Sequence, residues 1–379
     1  MARNGFRILD SDLHIMEPPD LWQRFTDAKF RHLAPIGKND VIRDLRLVHP
    51  DGRPWGMPPT PVANILGAGR TFKRDEKRYR YYHDNKWSAK VQLEAMDLEG
   101  IDIATLYPTR GLHALAEPNM DPPLAASLAR AYNDWLYEFC QEDPERLIGV
   151  GMVSPFNIDD AVAETRRCMT DLGFRGMFLR ANIMNGRNWH DPYYDPLWAT
   201  LVEYDVPIGF HESANSGARQ AGEQFEPNFL LLHTYSHPLE QMMALGAFCA
   251  GGVLERHPKL RAAFLEGNCS WLPWLLWRLD EHWELFADVW SPDTTMKPSE
   301  YFKRQCCVSV DCEEGPIKYA IDYLGCSDNI IFSTDYPHVD AQFPHSSDTF
   351  LKLPISEADK RKILWDNCAA FYGMAAETA

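Results

Sequence analysis

Eight short apolar runs, each rich in β-branched residues and set apart by longer helical stretches, narrow the folds open to this chain more than any other feature. They cover Arg7–His14, Ile101–Pro108, Leu147–Val153, Gly176–Leu179, Val206–His211, Leu260–Glu266, Cys307–Val310 and Asn329–Phe332. Uninterrupted apolar strands suit a parallel sheet covered on both faces. The stretches between them predict helices over Leu124–Cys140, Ile158–Leu172, Asp195–Tyr204, Pro238–Arg256 and Trp271–Phe286. Asp159 and Asp160 sit near one helix start, where negative charge is favoured, and Gly173 follows its end. Eight strands with intervening helices predict an α/β fold, a (β/α)8 TIM-type barrel forming one domain over residues 1–379. About 85 residues separate the first strand from the second, and the Pro-, Gly-, Arg- and Tyr-rich part, about 35–87, reads as an insertion on the top face.

Charge removes other classes. There are 38 Lys and Arg against 54 Asp and Glu, a net charge of −16, which argues against nucleic acid as a partner. No segment reaches the roughly 18 apolar residues of a membrane helix, and residues 1–10 lack the apolar core of a secretory signal. A cytoplasmic protein is expected. The nine cysteines form no Cys-x-x-Cys pair, and Cys306, Cys307 and Cys312 read as buried thiols.

In such a barrel the chemistry lies at the C-terminal ends of the strands. The first strand ends in Asp12-Leu13-His14, the fifth at His211, the sixth at Glu266, and the last leads into Asp335. Strand side chains alternate, so Asp12 and His14 share a face. Imidazoles and carboxylates gathered at one point favour one divalent metal ion, Zn²⁺ ahead of Mn²⁺, with open positions for a water of lowered pKa.

The chain resembles the amidohydrolase superfamily, within it the amidohydrolase-related group that includes aminocarboxymuconate-semialdehyde and resorcylate decarboxylases. The matching pieces are the segments at 12–22, 96–102, 173–177, 195–198, 207–211, 252–258 and 333–338, with Asn367. This resemblance implies metal ligands at Asp12, His14, His211 and Asp335, with Asp335 also the general acid/base, and a homodimer. The chain departs from the pattern at Asp12, where His or Glu is familiar, and at Glu266, where the decarboxylases have His-Gly.

An ionised Glu266 beside Asp12 and Asp335 would leave the site negative and repel a carboxylate. Arg110, Arg180 and Arg219, near strand ends, are candidates to bind an anionic substrate. Glu266 itself could instead shuttle a proton. His233 and His237, four apart, would share a helix face, His233 for substrate and His237 for catalysis. Glu17 and His338 lie close to the ligands in sequence, and Trp271, Trp274, Trp277 and Trp283 recur at helical spacing as core packing. Trp, Tyr79, Tyr81 and Tyr82 favour an apolar or aromatic small molecule. The expected activity is metal-dependent hydrolysis, with Asp335, Glu266 and His237 moving protons. Non-oxidative decarboxylation of an aromatic or unsaturated acid is the alternative, and a silent binding barrel the third.

Overall fold

The computed structural model describes residues 3–39, 42, 46–57, 73–117, 119–213, 217–291 and 293–374. Each of the eight expected runs forms a strand: β1 Leu9–Ile15, β2 Ile103–Pro108, β3 Leu147–Met152, β4 Gly176–Arg180, β5 Ile208–His211, β6 Ala262–Leu265, β7 Cys306–Val310 and β8 Ile330–Phe332. They pair in parallel in that order, as a (β/α)8 barrel requires. Almost every strand residue is buried.

Side chains join the first strand to the last. The Ser11 hydroxyl donates to the Phe332 carbonyl at 2.7 Å, and Ser333 donates to the Asp12 carbonyl at 3.3 Å. The Asp10 carboxylate accepts from the Thr334 hydroxyl, from the Thr334 amide at 3.3 Å and from the Asp12 amide at 3.1 Å. These bonds align the ends of β1 and β8, from which Asp12, His14 and Asp335 project.

The helical layer follows local signals. Asn157 caps the Ile158–Thr170 helix by accepting from the amides of Asp159 and Asp160 at 2.9 and 3.1 Å. Gly173 beyond its end has φ +66°. The helix expected to start at Pro238 runs instead over Phe229–Cys249, with Pro238 inside it. Its start is set by Asn228, whose side chain accepts from the Leu231 amide. His233 and His237 therefore lie on one helix, four residues apart.

The tryptophan run departs from expectation. Trp274 and Trp277 on the Leu272–Trp290 helix are 57% and 51% exposed, and Trp290 is 81% exposed. Periodicity located the apolar stripe but not the side of the helix it faces. Of the insertion, residues 40–41, 43–45 and 58–72 lie outside the described residues. The rest contains a short antiparallel pair, Ile36–Lys38 with Arg46–Val48, and a helix over Lys73–Asp84. Among the described residues no helix is long and apolar enough to cross a membrane.

Candidate metal centre

β1 buries Asp10, Ser11, Asp12 and His14 completely. Four polar side chains on one buried strand are costly unless each has a partner. Asp10 and Ser11 have theirs in the seam to β8. Asp12 and His14 point elsewhere. The register against β2 slips between Asp10 and Leu13, a bulge of the kind that re-aims side chains beside active sites.

His14 and His211 meet Asp12 from two sides. His14 Nε2 lies 3.5 Å from Asp12 Oδ1 and 3.3 Å from Asp335 Oδ1, and His211 Nε2 lies 3.4 Å from Asp12 Oδ2. His14 Nδ1–H donates to the Pro108 carbonyl at 2.8 Å and His211 Nδ1–H to the Glu212 carbonyl at 2.6 Å. Each ring is thereby fixed with Nε2 turned to the common point, as metal-bound histidines are held. His14 Nε2 and both oxygens of Asp12 are buried without a hydrogen-bond partner. Ligands about 2.1 Å from a tetrahedral ion stand about 3.4 Å apart. The donor set therefore fits one divalent ion.

Charge follows the same geometry. Burial, with His338 beside it, drives the His14 pKa well below its usual value. Burial also opposes charge on His211, yet Asp12 and Glu266 outweigh it and push its pKa up to about 10. A proton on His211 thus supplies positive charge where the ion would sit.

Glu266 lies immediately after β6. Its Oε2 is 2.9 Å from His211 Nε2 and its Oε1 is 3.3 Å from His237 Nε2. Burial opposes its charge, but His237 and His211 hold its pKa well below the carboxylate range. Asp335 shows the opposite shift: burial, Glu266 and Asp340 raise its pKa well above that range. Both residues have left-handed backbones, φ +49° at Glu266 and +55° at Asp335. Such strain costs on the order of 1–3 kcal/mol per residue and concentrates at functional sites.

Glu266, Asp335, His233 and His237 line a cavity of about 270 Å³, with Asp311, Glu313 and Asp340 among the other walls. Gln241 sets the position of His237: its Nε2 donates to the Phe210 carbonyl at 3.0 Å and the Leu265 carbonyl at 2.6 Å. Sequence reasoning missed Gln241, although its place four residues after His237 was a usable signal.

The arginines stand differently. Arg180 is buried, and its guanidinium donates to the Asn182 side chain and to the carbonyls of Leu112 and Ser213 at 2.7–3.0 Å. It ties three loops together. The amides of Arg110 and Gly111 donate to Glu17 at 3.0 and 2.6 Å, so Glu17 secures the turn after β2. Arg219 gives its carbonyl to Asn182 at 3.4 Å. None of the three lines the cavity. His338 Nδ1 is 2.7 Å from Asp335 Oδ1. Cys306, Cys307 and Cys312 are buried free thiols.

A family model described as amidohydrolase matches residues 20–374, beginning after Asp12 and His14. A 2-amino-3-carboxymuconate-6-semialdehyde decarboxylase of Dictyostelium discoideum is 25% identical over 79% of this chain and 80% of its own length. A gamma-resorcylate decarboxylase of Rhizobium radiobacter is 28% identical over 72% of this chain and 83% of its own. A dihydroxybenzoic acid decarboxylase of a Polaromonas species, solved with manganese and 2-nitroresorcinol, superposes with a TM-score of 0.70 at 19% identity, covering 97% of both chains.

Proposed function

The chain belongs to the amidohydrolase family, and from that premise we propose that it is a metal-dependent, non-oxidative decarboxylase of an aromatic acid. One observation carries this reading beyond the family: His237 Nε2 stands 3.3 Å from Glu266 Oε1. The imidazole missing from the end of the sixth strand is supplied by the helix after the fifth. Glu266, paired with His237, then no longer leaves the site with an uncompensated negative charge. The ground for ranking hydrolysis first falls away, and the decarboxylase relatives favour the alternative.

Asp12, His14 and His211, joined by Asp335 at 3.3 Å from His14, would hold the ion, Mn²⁺ as in the Polaromonas relative or Zn²⁺ by ligand chemistry. When bound, it would polarise an oxygen of the substrate next to the departing carboxylate. Asp335 carries the proton between His338 and the substrate. It protonates the ring carbon bearing the carboxylate. The carbon–carboxylate bond breaks, its electron pair restores the aromatic ring, and CO₂ leaves. His338, 2.7 Å away, can return a proton to Asp335. His237 and Glu266 keep the wall beside the carboxylate electrically balanced. Arg180 holds the surrounding loops.

Two copies in a homodimer are supported by the exposed face of the Leu272–Trp290 helix, and light scattering of wild type against Trp277→Glu checks this. A panel of hydroxylated and aminated benzoates tests the activity. The expected result is CO₂ release with one solvent hydrogen gained by the ring. Product carrying oxygen from labelled water, without CO₂, would restore the hydrolase reading.

A further inference from the structure

We propose that His233, His237 and Glu266 form a second divalent-cation site adjoining the first, and that Glu266, in addition to the four ligands assigned there, bridges the two. Residues four apart on a helix face the same way, and the rings of His233 and His237 have centroids 4.3 Å apart. His237 Nδ1 is engaged by the Ser236 hydroxyl at 3.1 Å, which turns Nε2 towards Glu266. One ligand atom from each of the three residues lies within 4.8 Å of the others, and the His237–Glu266 separation of 3.3 Å matches the ligand spacing around a tetrahedral ion. Asp340 Oδ2, 3.9 Å from His233 Nε2, is within reach as a fourth ligand.

Glu266 presents one oxygen to each group: Oε2 at 2.9 Å from His211, Oε1 at 3.3 Å from His237. A carboxylate shared in this way supports metal pairs about 3.5–4 Å apart. Two imidazoles and one or two carboxylates suit Mn²⁺ or Zn²⁺.

The cavity gives the second ion a reason. Its lining includes Glu266, Asp311, Glu313, Asp335 and Asp340 and, among the described residues, neither Lys nor Arg. Resting on the decarboxylase reading, the second ion makes the entrance receptive to an anionic aromatic acid, doing with two charges what the proton on His237 does with one.

The test uses the full chain stripped of metal and titrated with Mn²⁺, read by elemental analysis after gel filtration and by electron paramagnetic resonance. Wild type is expected to bind two ions per chain, with the spectrum of a spin-coupled pair. His233→Asn, at a partly exposed helix position, should bind one ion with an uncoupled spectrum. One ion per chain in wild type at saturating Mn²⁺ would overturn the proposal, as would two coupled ions retained in His233→Asn. Neither readout depends on turnover, so a failure of CO₂ release refutes the decarboxylase reading and leaves the stoichiometry to stand by itself.

Discussion

His237 and Glu266 meet at 3.3 Å although one comes from the middle of a helix and the other from a strand end. Their meeting depends on Gln241, which fastens that helix to the ends of β5 and β6. Gly267 leaves room for it, since a Cβ there would stand 2.7 Å from Gln241 Cγ. Gln241→Leu strands two buried carbonyls, at a cost of roughly 1–3 kcal/mol apiece. The melting temperature should drop, and kcat should fall more than KM rises, with the ion at His14 and His211 retained. An unchanged kcat would remove Gln241 from the positioning of His237.

Metal binding should release a proton. With its pKa pushed up to about 10, His211 is protonated at neutral pH in the metal-free protein and must lose that proton to ligate. Affinity should therefore rise with pH between about 6 and 9, by up to about tenfold per unit for each proton released. Calorimetry in buffers of different ionisation enthalpy counts the protons. A count of zero would contradict the assignment.

Gly209 carries a steric constraint that a double substitution can isolate. A Cβ at residue 209 would stand 2.2 Å from Tyr107 Oη, the oxygen bonded to Tyr372 Oη at 2.9 Å. Gly209→Ala should cost about 1–3 kcal/mol by overpacking. Tyr107→Phe in the same chain should recover part of that loss, giving a coupling in denaturant titrations. Strictly additive effects would mean that the clash is relieved elsewhere.

How far all this was legible depends on what each residue touches. The eight strands were visible because strands covered on both faces must be apolar. Asp12, His14 and His211 stood out because polar residues in such runs need a reason. The start of the Phe229–Cys249 helix was hidden, since Pro238 resembles a beginning and Asn228 signals one only with its bond to the Leu231 amide. The consumption of Arg180 by three loops was equally hidden, because two of its partners are backbone carbonyls that any sequence would offer. Contact between Glu266 and His237 is tertiary, and no spacing announces it.

Stability should fall as pH rises through the range where Asp311 titrates. Burial, then Glu314, Asp340 and Glu266, push its pKa up to about 8, although Asn268 donates to it at 2.6 Å. A raised pKa in the folded state contributes stability that is full below about 4 and lost as pH passes about 8. Asp311→Asn should match wild type near pH 4 and exceed it at pH 9, read as melting temperatures of metal-free protein. A gap that narrows with rising pH would contradict the shift.

The bonds between β1 and β8 also set the order in which the protein is made. Ser333 and Asp12 are joined across 321 residues, and Asp335 follows two positions later. Asp12 and His14 leave the ribosome more than 300 residues ahead of Asp335. A nascent chain therefore cannot assemble all four candidate ligands until Asp335 has followed. An ion held by all four would therefore enter only after all eight barrel strands have been made.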